Sequence, residues 1–228
     1  MIAIAIDGPA GSGKSTVARA LAERLEYTYI DTGAMYRSAT YKALQAGITP
    51  SDADALVELI RNTEIRLAGV PGNQRVLMDG TDVTEEIRRG AVTGLVSAVS
   101  RIPGIRELMV EKQRTMARCG PVVMDGRDVG TQVLPDATYK FFLTASLEER
   151  ASRRKADMER LLEPSSLNQI IREIARRDRE DETREISPLR QAQDAVRIDT
   201  TDRSVEDVVS EILSYIPATE RPQAEGTP

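Results

Sequence analysis

More than any other part of the sequence, a glycine-rich segment near the N-terminus limits the folds open to this chain. Residues Gly8–Ser15 match the pattern G-x-x-x-x-G-K-[ST]. The segment follows an apolar run, Ile2–Ile6, typical of a buried parallel strand, and precedes Thr16–Leu25, whose apolar residues have helical spacing. Glycines let successive backbone N–H groups turn toward phosphate oxygens at a helix N-terminus. In such a loop Lys14 reaches the β and γ phosphates and Ser15 can face Mg²⁺, so the pattern predicts binding of a nucleoside triphosphate or a close relative.

Apolar runs of strand length alternate with helical runs along most of the chain. Besides the first strand, the sequence predicts strands at Tyr27–Ile30, Pro121–Met124, Lys140–Leu143 and Val196–Ile198. It predicts helices at residues 16–25, 34–46, 52–61, 90–100, 105–118, 146–159, 166–182 and 205–215. The alternation predicts an α/β fold, a P-loop doubly wound parallel sheet with helices on both faces and ligands at the carboxyl ends of its strands.

One stretch departs from this alternation. Glu64–Leu67 and Arg75–Met78 are strand-like and are joined by Pro71-Gly72-Asn73, which predicts a small antiparallel β insertion over residues 63–84. The core is then formed by residues 1–62 and 85–216. The last segment, 217–228, is rich in Pro, Glu, Gly and Thr and is predicted to be a disordered tail.

Composition excludes several classes of protein. The absence of His removes Ser-His-Asp triads, Cys-His dyads and His-ligated metal sites. The single cysteine, Cys119, excludes an intrachain disulfide and fits a reducing compartment, so we expect a cytoplasmic protein. The net charge of −5, the 4% of aromatic residues and the lack of Trp argue against nucleic-acid binding. The apolar N-terminal run is too short to span a membrane, and no membrane association is expected.

The basic residues are of an unusual kind, with 26 arginines against five lysines. Guanidinium groups bind phosphate and carboxylate in a bidentate manner, so the excess is compatible with a phosphate-handling site, and also with a GC-rich genome that replaces Lys by Arg throughout. A guanine-reading Asn-Lys-x-Asp is missing, which argues against a signalling GTPase.

Three further clusters have the character of sites. Asp31–Arg37 follows the second strand; there Thr32 can cap the next helix and Arg37 can turn toward a phosphate or lie on the surface. Asp125–Asp128 follows the strand Val122–Met124 and places an arginine at the carboxyl edge of the sheet. The charged helix around Arg177–Arg184 is compatible with a site or with a solvated face of salt bridges.

Taken together, these segments resemble the bacterial cytidylate kinases of the nucleoside monophosphate kinase family. The matching pieces are I-D-G-P-A-G-S-G-K-S-T at 6–16, D-T-G-A-M-Y-R at 31–37, S-x-x-x-x-x-P-x-x-R at 97–106, D-G-R-D-V-G-T at 125–131 and R-D-x-x-D-x-x-R at 177–184. Their order and spacing cover about residues 1 to 215. The β insertion is similar to the monophosphate-side insert of that family.

The resemblance implies phosphorylation of CMP and dCMP by ATP in pyrimidine nucleotide metabolism, with Mg²⁺ as cofactor, by a monomer with a short helical lid at about residues 150–165. It implies catalytic roles for Lys14, Arg127 and Arg184 and a metal contact for Ser15. It implies ATP binding by Gly8, Pro9, Ala10, Gly11, Ser12, Gly13, Lys14, Ser15 and Thr16, with Arg150 and Arg154 beside the lid. It places the CMP phosphate near Thr32, Tyr36, Arg37, Arg127 and Arg184, the cytosine near Ser97, Arg106 and Asp128, and the sugar near Arg177 and Asp181. Thr32 departs from the family, where Ser is frequent, and its extra methyl group could alter the fit of the pocket.

Elementary chemistry agrees with this reaction. A phosphate monoester is mostly dianionic at neutral pH, so the acceptor oxygen needs no general base and a chain without His can catalyse the transfer. Two alternatives stay open from the residues: a P-loop kinase acting on another small acceptor (UMP, AMP or shikimate), and an ATP-dependent regulatory or RNA-binding module that uses the Arg-rich helix as its contact surface.

Overall fold

A computed structural model describes residues 2–160 and 166–221. The strands, in chain order, are β1 (Ala3–Asp7), β2 (Thr28–Asp31), β3 (Ile65–Ala68), β4 (Arg75–Met78), β5 (Thr81–Asp82), β6 (Val122–Gly126), β7 (Tyr139–Thr144) and β8 (Val196–Asp199). The helices are α1 (Lys14–Leu25), α2 (Thr32–Ala46), α3 (Ala53–Arg61), α4 (Gly90–Ser100), α5 (Pro103–Ala117), α6 (Leu147–Arg160), α7 (Leu167–Thr183) and α8 (Val205–Ser214). The predicted strands and helices lie within a few residues of these bounds.

Five of these strands form one parallel sheet in the order β2-β6-β1-β7-β8. Helices cover both faces, because an apolar cluster that includes Met35, Ile60 and Met109 lies on one side and a second cluster that includes Leu21 and Ile212 lies on the other. A sheet buried on both faces needs apolar side chains at nearly every strand position, which is why its strands appear as short apolar runs in the sequence. The prediction of a doubly wound parallel sheet is confirmed.

The antiparallel sheet β3-β4-β5 lies outside the main sheet. Its own small core, which includes Val76, Met78 and Ile87, packs against Ala34 of α2. Gln74 also links it to the edge strand β2, because the Gln74 side chain donates to the Tyr29 carbonyl at 2.7 Å. The predicted antiparallel insertion is present at this place, and the boundaries 63–84 of a separate domain stay a prediction.

Helices α6 and α7 form a smaller unit beside the main sheet. They pack on each other through Ala151, Ile170 and Ile174, a cluster separate from the two main cores. A capping box of Ser166 and Gln169 starts α7. The predicted lid at about 150–165 includes most of α6, and residues 161–165 of it lie outside the described residues.

The C-terminal segment requires a correction. Ala218–Glu220 forms a 3-10 turn, and the hydroxyls of Tyr27 and Tyr139 donate to Glu220 at 2.6 and 2.8 Å. Arg221 donates to the carbonyl of Leu213 in the last turn of α8, an acceptor that a helix terminus leaves free, and to the Ile216 carbonyl just beyond the helix. Disorder was therefore the wrong expectation for 217–221, while 222–228 lie outside the described residues. In the described part of the chain, no helix is long and apolar enough to cross a membrane.

Candidate active site

The carboxyl ends of β1, β2 and β6 meet at one edge of the sheet, where Gly8–Gly13 connects β1 to α1. Gly8 has φ +150°, and a Cβ at this position would lie 2.0 Å from the Leu143 carbonyl oxygen of β7. A side chain cannot be accommodated so close to a backbone atom, so glycine is required there for the loop to pass β7. The loop occupies the crevice that a doubly wound sheet offers to ligands.

Lys14, the first residue of α1, is buried at the base of this loop. Its Nζ donates to the Pro9 carbonyl at 2.7 Å and lies 3.4 Å from Ser12 Oγ. Burial and the nearby Arg127 charge lower the pKa of Lys14 well below its ordinary value, while Asp125 and Asp7 act in the opposite direction. The side chain bridges the loop at the position where phosphate oxygens would be bound.

A buried carboxylate, Asp125 at the end of β6, lies beside the loop. Asp125 accepts from the Ser15 hydroxyl at 2.7 Å and from the Tyr29 hydroxyl at 2.8 Å. Burial, together with the Asp31 charge, raises the pKa of Asp125 to about 6. The described residues hold no group of three or more Cys, Asp or Glu side chains suited to a metal ion. Mg²⁺ in phosphoryl-transfer sites is held by one or two protein oxygens together with substrate phosphates, and Ser15 and Asp125 are oxygen donors that fit this pattern.

A second buried carboxylate, Asp7, connects β1 to the segment after β6. It accepts from the backbone N–H groups of Val129 and Gly130 at 2.8 and 2.7 Å. These two residues open a π-helical turn, Val129–Val133, which the sequence analysis did not predict. Burial raises the pKa of Asp7 to about 6. The two hydrogen bonds position the turn that directly follows Arg127 and Asp128.

Four arginines near the loop lie close enough for the charge of one to lower the pKa of another; they are Arg37, Arg127, Arg154 and Arg177. Burial lowers the pKa of Arg177 to about 9, with further lowering by the charges of Arg127, Arg37 and Arg154. Burial and the charges of Arg127 and Arg154 likewise lower the pKa of Arg37. Such mutual repulsion among guanidinium groups costs free energy, which a bound polyanion would offset.

Asp128, 6% exposed, is the centre of a buried polar group beside this cluster. It pairs with Arg106 of α5, which also donates to the Ser100 carbonyl at 3.1 Å and lies 5.5 Å above the Tyr36 ring. On its other side Asp128 Oδ1 lies 3.5 Å from Arg184 Nη2. The predicted cytosine-binding pair Arg106 and Asp128 is thus brought together across 22 residues of sequence, and Ser97, one turn before Ser100 on α4, is also buried.

Asp181 of α7 connects the two groups of arginines. It accepts from Arg127 Nε at 2.9 Å, and its other oxygen lies 3.9 Å from Arg184 Nη1. Burial alone would raise the pKa of Asp181, but the charges of Arg127, Arg177 and Arg184 lower it below its ordinary value. Arg127 and Arg184, the predicted catalytic arginines, therefore share one carboxylate, and Arg184 lies between Asp128 and Asp181.

Two predicted residues have contacts that the sequence did not indicate. The Thr32 hydroxyl donates to the Asp125 carbonyl at 2.7 Å, and Asp31 rather than Thr32 caps α2 by accepting from the Ala34 N–H at 2.8 Å. Arg150 donates to the Ala10 carbonyl at 3.0 Å and pairs with Asp178. The ATP role of Arg150 and the CMP role of Thr32 stay predictions.

Several polar atoms in this crevice are buried and find no hydrogen-bond partner among the described residues. They are Tyr36 OH, Arg106 Nε, Arg177 Nε and Arg184 Nη2, the last of which makes only the 3.5 Å ion-pair contact with Asp128. Burial raises the pKa of Tyr36 to about 12, so its hydroxyl remains a potential donor at neutral pH. Buried polar groups without partners are costly, and their concentration on residues 36, 106, 177 and 184 indicates a polar ligand in the crevice.

The sequence analysis assigned no role to Asp7, Asp125 or Asp178. A signal existed for the first two, since each ends a buried strand at the edge of the sheet where ligands bind. The signal for Asp178 was its place in the matched segment R-D-x-x-D-x-x-R at 177–184, although the run of charged residues around it is also typical of a solvated face. A groove of about 620 Å³ between α1, β2 and the insertion is lined by none of the predicted site residues and includes Tyr27, Leu67, Val70 and Met116.

Comparison with known proteins shows which family the sequence matches. A family model described as cytidylate kinase matches residues 4–218. The cytidylate kinase of Geobacillus kaustophilus is 56% identical over 215 residues, covering 94% of this chain and 96% of that protein. The cytidylate kinase of Bacillus subtilis is 48% identical, covering 94% and 96% respectively. Among solved structures, shikimate kinase from Acinetobacter baumannii is 17% identical with a TM-score of 0.47, covering 95% of this chain and 93% of that one.

Proposed function

This chain belongs to the cytidylate kinase family, and we propose that its crevice transfers the γ-phosphoryl group of ATP to CMP and dCMP, forming CDP and dCDP. The observation that carries the proposal is the convergence, at one edge of the sheet, of the phosphate loop, the arginine cluster and the buried Asp128 group. These are the parts that a triphosphate donor, a monophosphate acceptor and a base would each require. The enzyme is a nucleoside monophosphate kinase, a transferase.

In the reaction, a phosphate oxygen of CMP forms a bond to the γ-phosphorus as the bond from that phosphorus to the β,γ-bridging oxygen breaks, and ADP leaves. The acceptor is already dianionic near pH 7, so no side chain has to remove a proton from it. Catalysis then consists of alignment and of charge neutralisation. We assign the neutralisation of the charge on the γ-phosphoryl group to Lys14, Arg127 and Arg184.

The donor would lie on the loop Gly8–Thr16, with Arg150 and Arg154 on its lid side. Ser15 and Asp125 would hold Mg²⁺, which when bound supplies further neutralisation of phosphate charge. The loop's backbone N–H groups and Lys14 would hold the β and γ phosphates in place, so the attacking oxygen meets a fixed target.

On the acceptor side, Tyr36, Arg37 and Arg127 would bind the CMP phosphate, with Thr32 close by. The free Tyr36 hydroxyl and the repulsion among the arginines support this assignment. Arg177 and Asp181 would bind the sugar. Asp128 would accept from the cytosine N4 amino group while Arg106 and Ser97 donate to its acceptor atoms, because a carboxylate suits that amino donor.

A coupled assay of ADP formation with CMP, dCMP, UMP, AMP and shikimate as acceptors tests the proposal. Rapid turnover with CMP and dCMP is the expected result. Turnover mainly with AMP or shikimate would assign the crevice to another small-acceptor kinase. ATP hydrolysis stimulated by RNA, with no nucleotide acceptor, would refute the proposal altogether.

We also propose that the enzyme acts as a monomer in the cytoplasm, without nucleic-acid or membrane partners. The lone cysteine and the net charge of −5 support the compartment and the lack of nucleic-acid binding. Size-exclusion chromatography with light scattering tests the monomer, and a mass of two chains would contradict it.

A further inference from the structure

The peptide of Ala10, in the phosphate loop, is held on both sides by side chains of α6 and α7. Its N–H donates to Asp178 Oδ1 at 3.2 Å, and its carbonyl accepts from Arg150 Nη1 at 3.0 Å. The same guanidinium pairs with Asp178 Oδ2, and its Nε donates to the Ala145 carbonyl at 3.2 Å. Arg150 and Asp178 are each 8% exposed. We call Ala10, Arg150 and Asp178 the Ala10 latch.

The backbone of α6 also lies directly against the loop. Gly11 has φ +75°, and a Cβ there would lie 3.0 Å from both Cβ and the carbonyl oxygen of Arg150. The contact is therefore tight, and a side chain at Gly11 would separate the loop from α6. Arg150 thus contacts the loop through its backbone as well as through its guanidinium.

Polar links position α6 and α7 relative to the loop, because the apolar contacts of the pair are mostly with each other. Ala151, Ile170 and Ile174 form a cluster apart from the two cores of the sheet. Besides the Ala10 latch, Arg153 donates to the Thr200 carbonyl at 2.7 Å, and the Thr200 hydroxyl lies 3.1 Å from the Ser12 carbonyl. Both links end on the phosphate loop.

The same turn of α7 that carries Asp178 also faces the acceptor side of the crevice. Arg177 is the preceding residue, and its charge contributes to lowering the pKa of Lys14. Asp181, about one turn later, accepts from Arg127 at 2.9 Å. Fixing Asp178 on Ala10 therefore fixes Arg177 and Asp181 relative to the loop that would bind the donor.

We infer that Arg150 and Asp178 are positioning residues that hold the donor loop and the acceptor-side face of α7 in one arrangement. Neither side chain needs to touch the reacting atoms, since both act through the Ala10 peptide. Loss of the latch would leave the loop N–H groups and Arg177 free to move relative to each other, so nucleotides would bind less tightly. The inference rests on the proposed function in taking ATP as the donor.

The test uses Asp178→Asn, which keeps the shape of the side chain and one acceptor for the Ala10 N–H but removes the charge that pairs with Arg150. Loss of a charge-assisted hydrogen bond predicts a rise of about tenfold in the dissociation constant of Mg·ADP and in the KM for ATP, with kcat changed less than about threefold. Titration calorimetry measures the ADP affinity without any acceptor, so it tests the latch even if the acceptor proves not to be CMP.

Glu180→Gln is the matched control on the same helix, because Glu180 pairs with Arg176 and Arg101 on the outer side, away from Ala10. It should bind Mg·ADP like the wild type. The thermal unfolding midpoint of each variant is also measured, so that Mg·ADP affinities are compared only between folded proteins.

A double-mutant cycle with Arg150→Ala and Asp178→Ala decides whether the pair acts as a unit. The dissociation constant of the double variant for Mg·ADP should be at most about twice that of the weaker-binding single variant, because each single change already breaks the latch. Independent, multiplying losses would overturn the inference, and so would an Asp178→Asn variant that binds Mg·ADP as the wild type does. A wild-type protein that binds Mg·ADP but transfers nothing to CMP would refute the proposed function and leave the latch supported by its own result.

Discussion

Replacing Asp128 by Asn tests whether this side chain recognises the cytosine base or only stabilises the fold. Asp128 is paired with Arg106 and lies 3.5 Å from Arg184, and both guanidinium groups are buried. Asn has nearly the same size and keeps one carbonyl acceptor, but it lacks the charge and adds a donor. The two arginines would then face an amide in place of a carboxylate.

The stability cost follows from this burial. Removing one partner of a buried ion pair costs about 3–5 kcal/mol, and the retained carbonyl favours the lower limit of about 3 kcal/mol. For a chain of this length each kcal/mol shifts the thermal midpoint by about 2–4 °C, so we expect a decrease of about 6–12 °C. The variant should remain folded at 25 °C, which differential scanning calorimetry checks.

The catalytic effect should differ between acceptors. Cytosine would lose a charge-assisted hydrogen bond from its N4 amino group, a loss of about 1.5–3 kcal/mol or roughly 10- to 150-fold in kcat/KM. Uracil has a carbonyl at that place and can accept from the new Asn amide, so UMP should lose little. The ratio of kcat/KM for CMP over UMP should therefore fall by at least tenfold.

The assay is coupled ADP formation with CMP and UMP in turn, at saturating ATP and Mg²⁺ and 25 °C. Asp136→Asn, an identical change at an exposed position, is the control and should leave the ratio unchanged. An equal decrease in kcat/KM for CMP and UMP, with their ratio unchanged, would show that Asp128 only positions Arg106 and Arg184. Other residues would then have to recognise the base.

Three further predictions concern single side chains. Lys14→Ala should leave the chain folded, by circular dichroism, and lower kcat/KM by at least about 100-fold because the β and γ phosphates lose their buried cation; unchanged turnover would refute the phosphate-loop assignment. Asp181→Ala should reduce kcat/KM for CMP more than for dCMP, by about 1–3 kcal/mol, since only the ribose offers a 2′-hydroxyl to the carboxylate; equal losses would leave Asp181 with the structural role of holding Arg127. Burial raises the pKa of Asp7 to about 6, so the folded chain takes up a proton between pH 7 and 5 that an unfolded carboxyl, with pKa 3.8, does not. The free energy of unfolding should then rise as pH falls through that window, at up to about 1.4 kcal/mol per pH unit from this group, and urea titrations of Asp7→Asn should show a correspondingly smaller rise; equal slopes for the two proteins would contradict the raised pKa.

Much of the fold could be predicted from the sequence, because the patterns that indicate its strands, helices and turns are local. A parallel strand buried on both faces appears as an apolar run, and the phosphate loop needs glycine where a Cβ would collide with β7. The antiparallel insertion was readable for the same reason, since turn residues separate two short strand-like runs. The π-helical turn at Val129–Val133 was not readable, because its form depends on the two N–H groups that Asp7 accepts from across the sheet.

The sequence alone also identified which segments bear the chemistry, but the partners of their side chains were decided by the tertiary structure. Ser15 meets Asp125 across 110 residues, and Ala10 meets Asp178 across 168. These contacts depend on the strand order β2-β6-β1, which places β6 between β1 and β2, and on the packing of α7 against the loop. Local periodicity specifies whether a residue is in a helix or a strand and which face it occupies, whereas the pairing of charges depends on how whole elements are arranged in space. For that reason the contact of Arg150 with the Ala10 peptide could not be predicted from the sequence, and neither could the burial of Asp178, which lies in a run of charged residues typical of a solvated face.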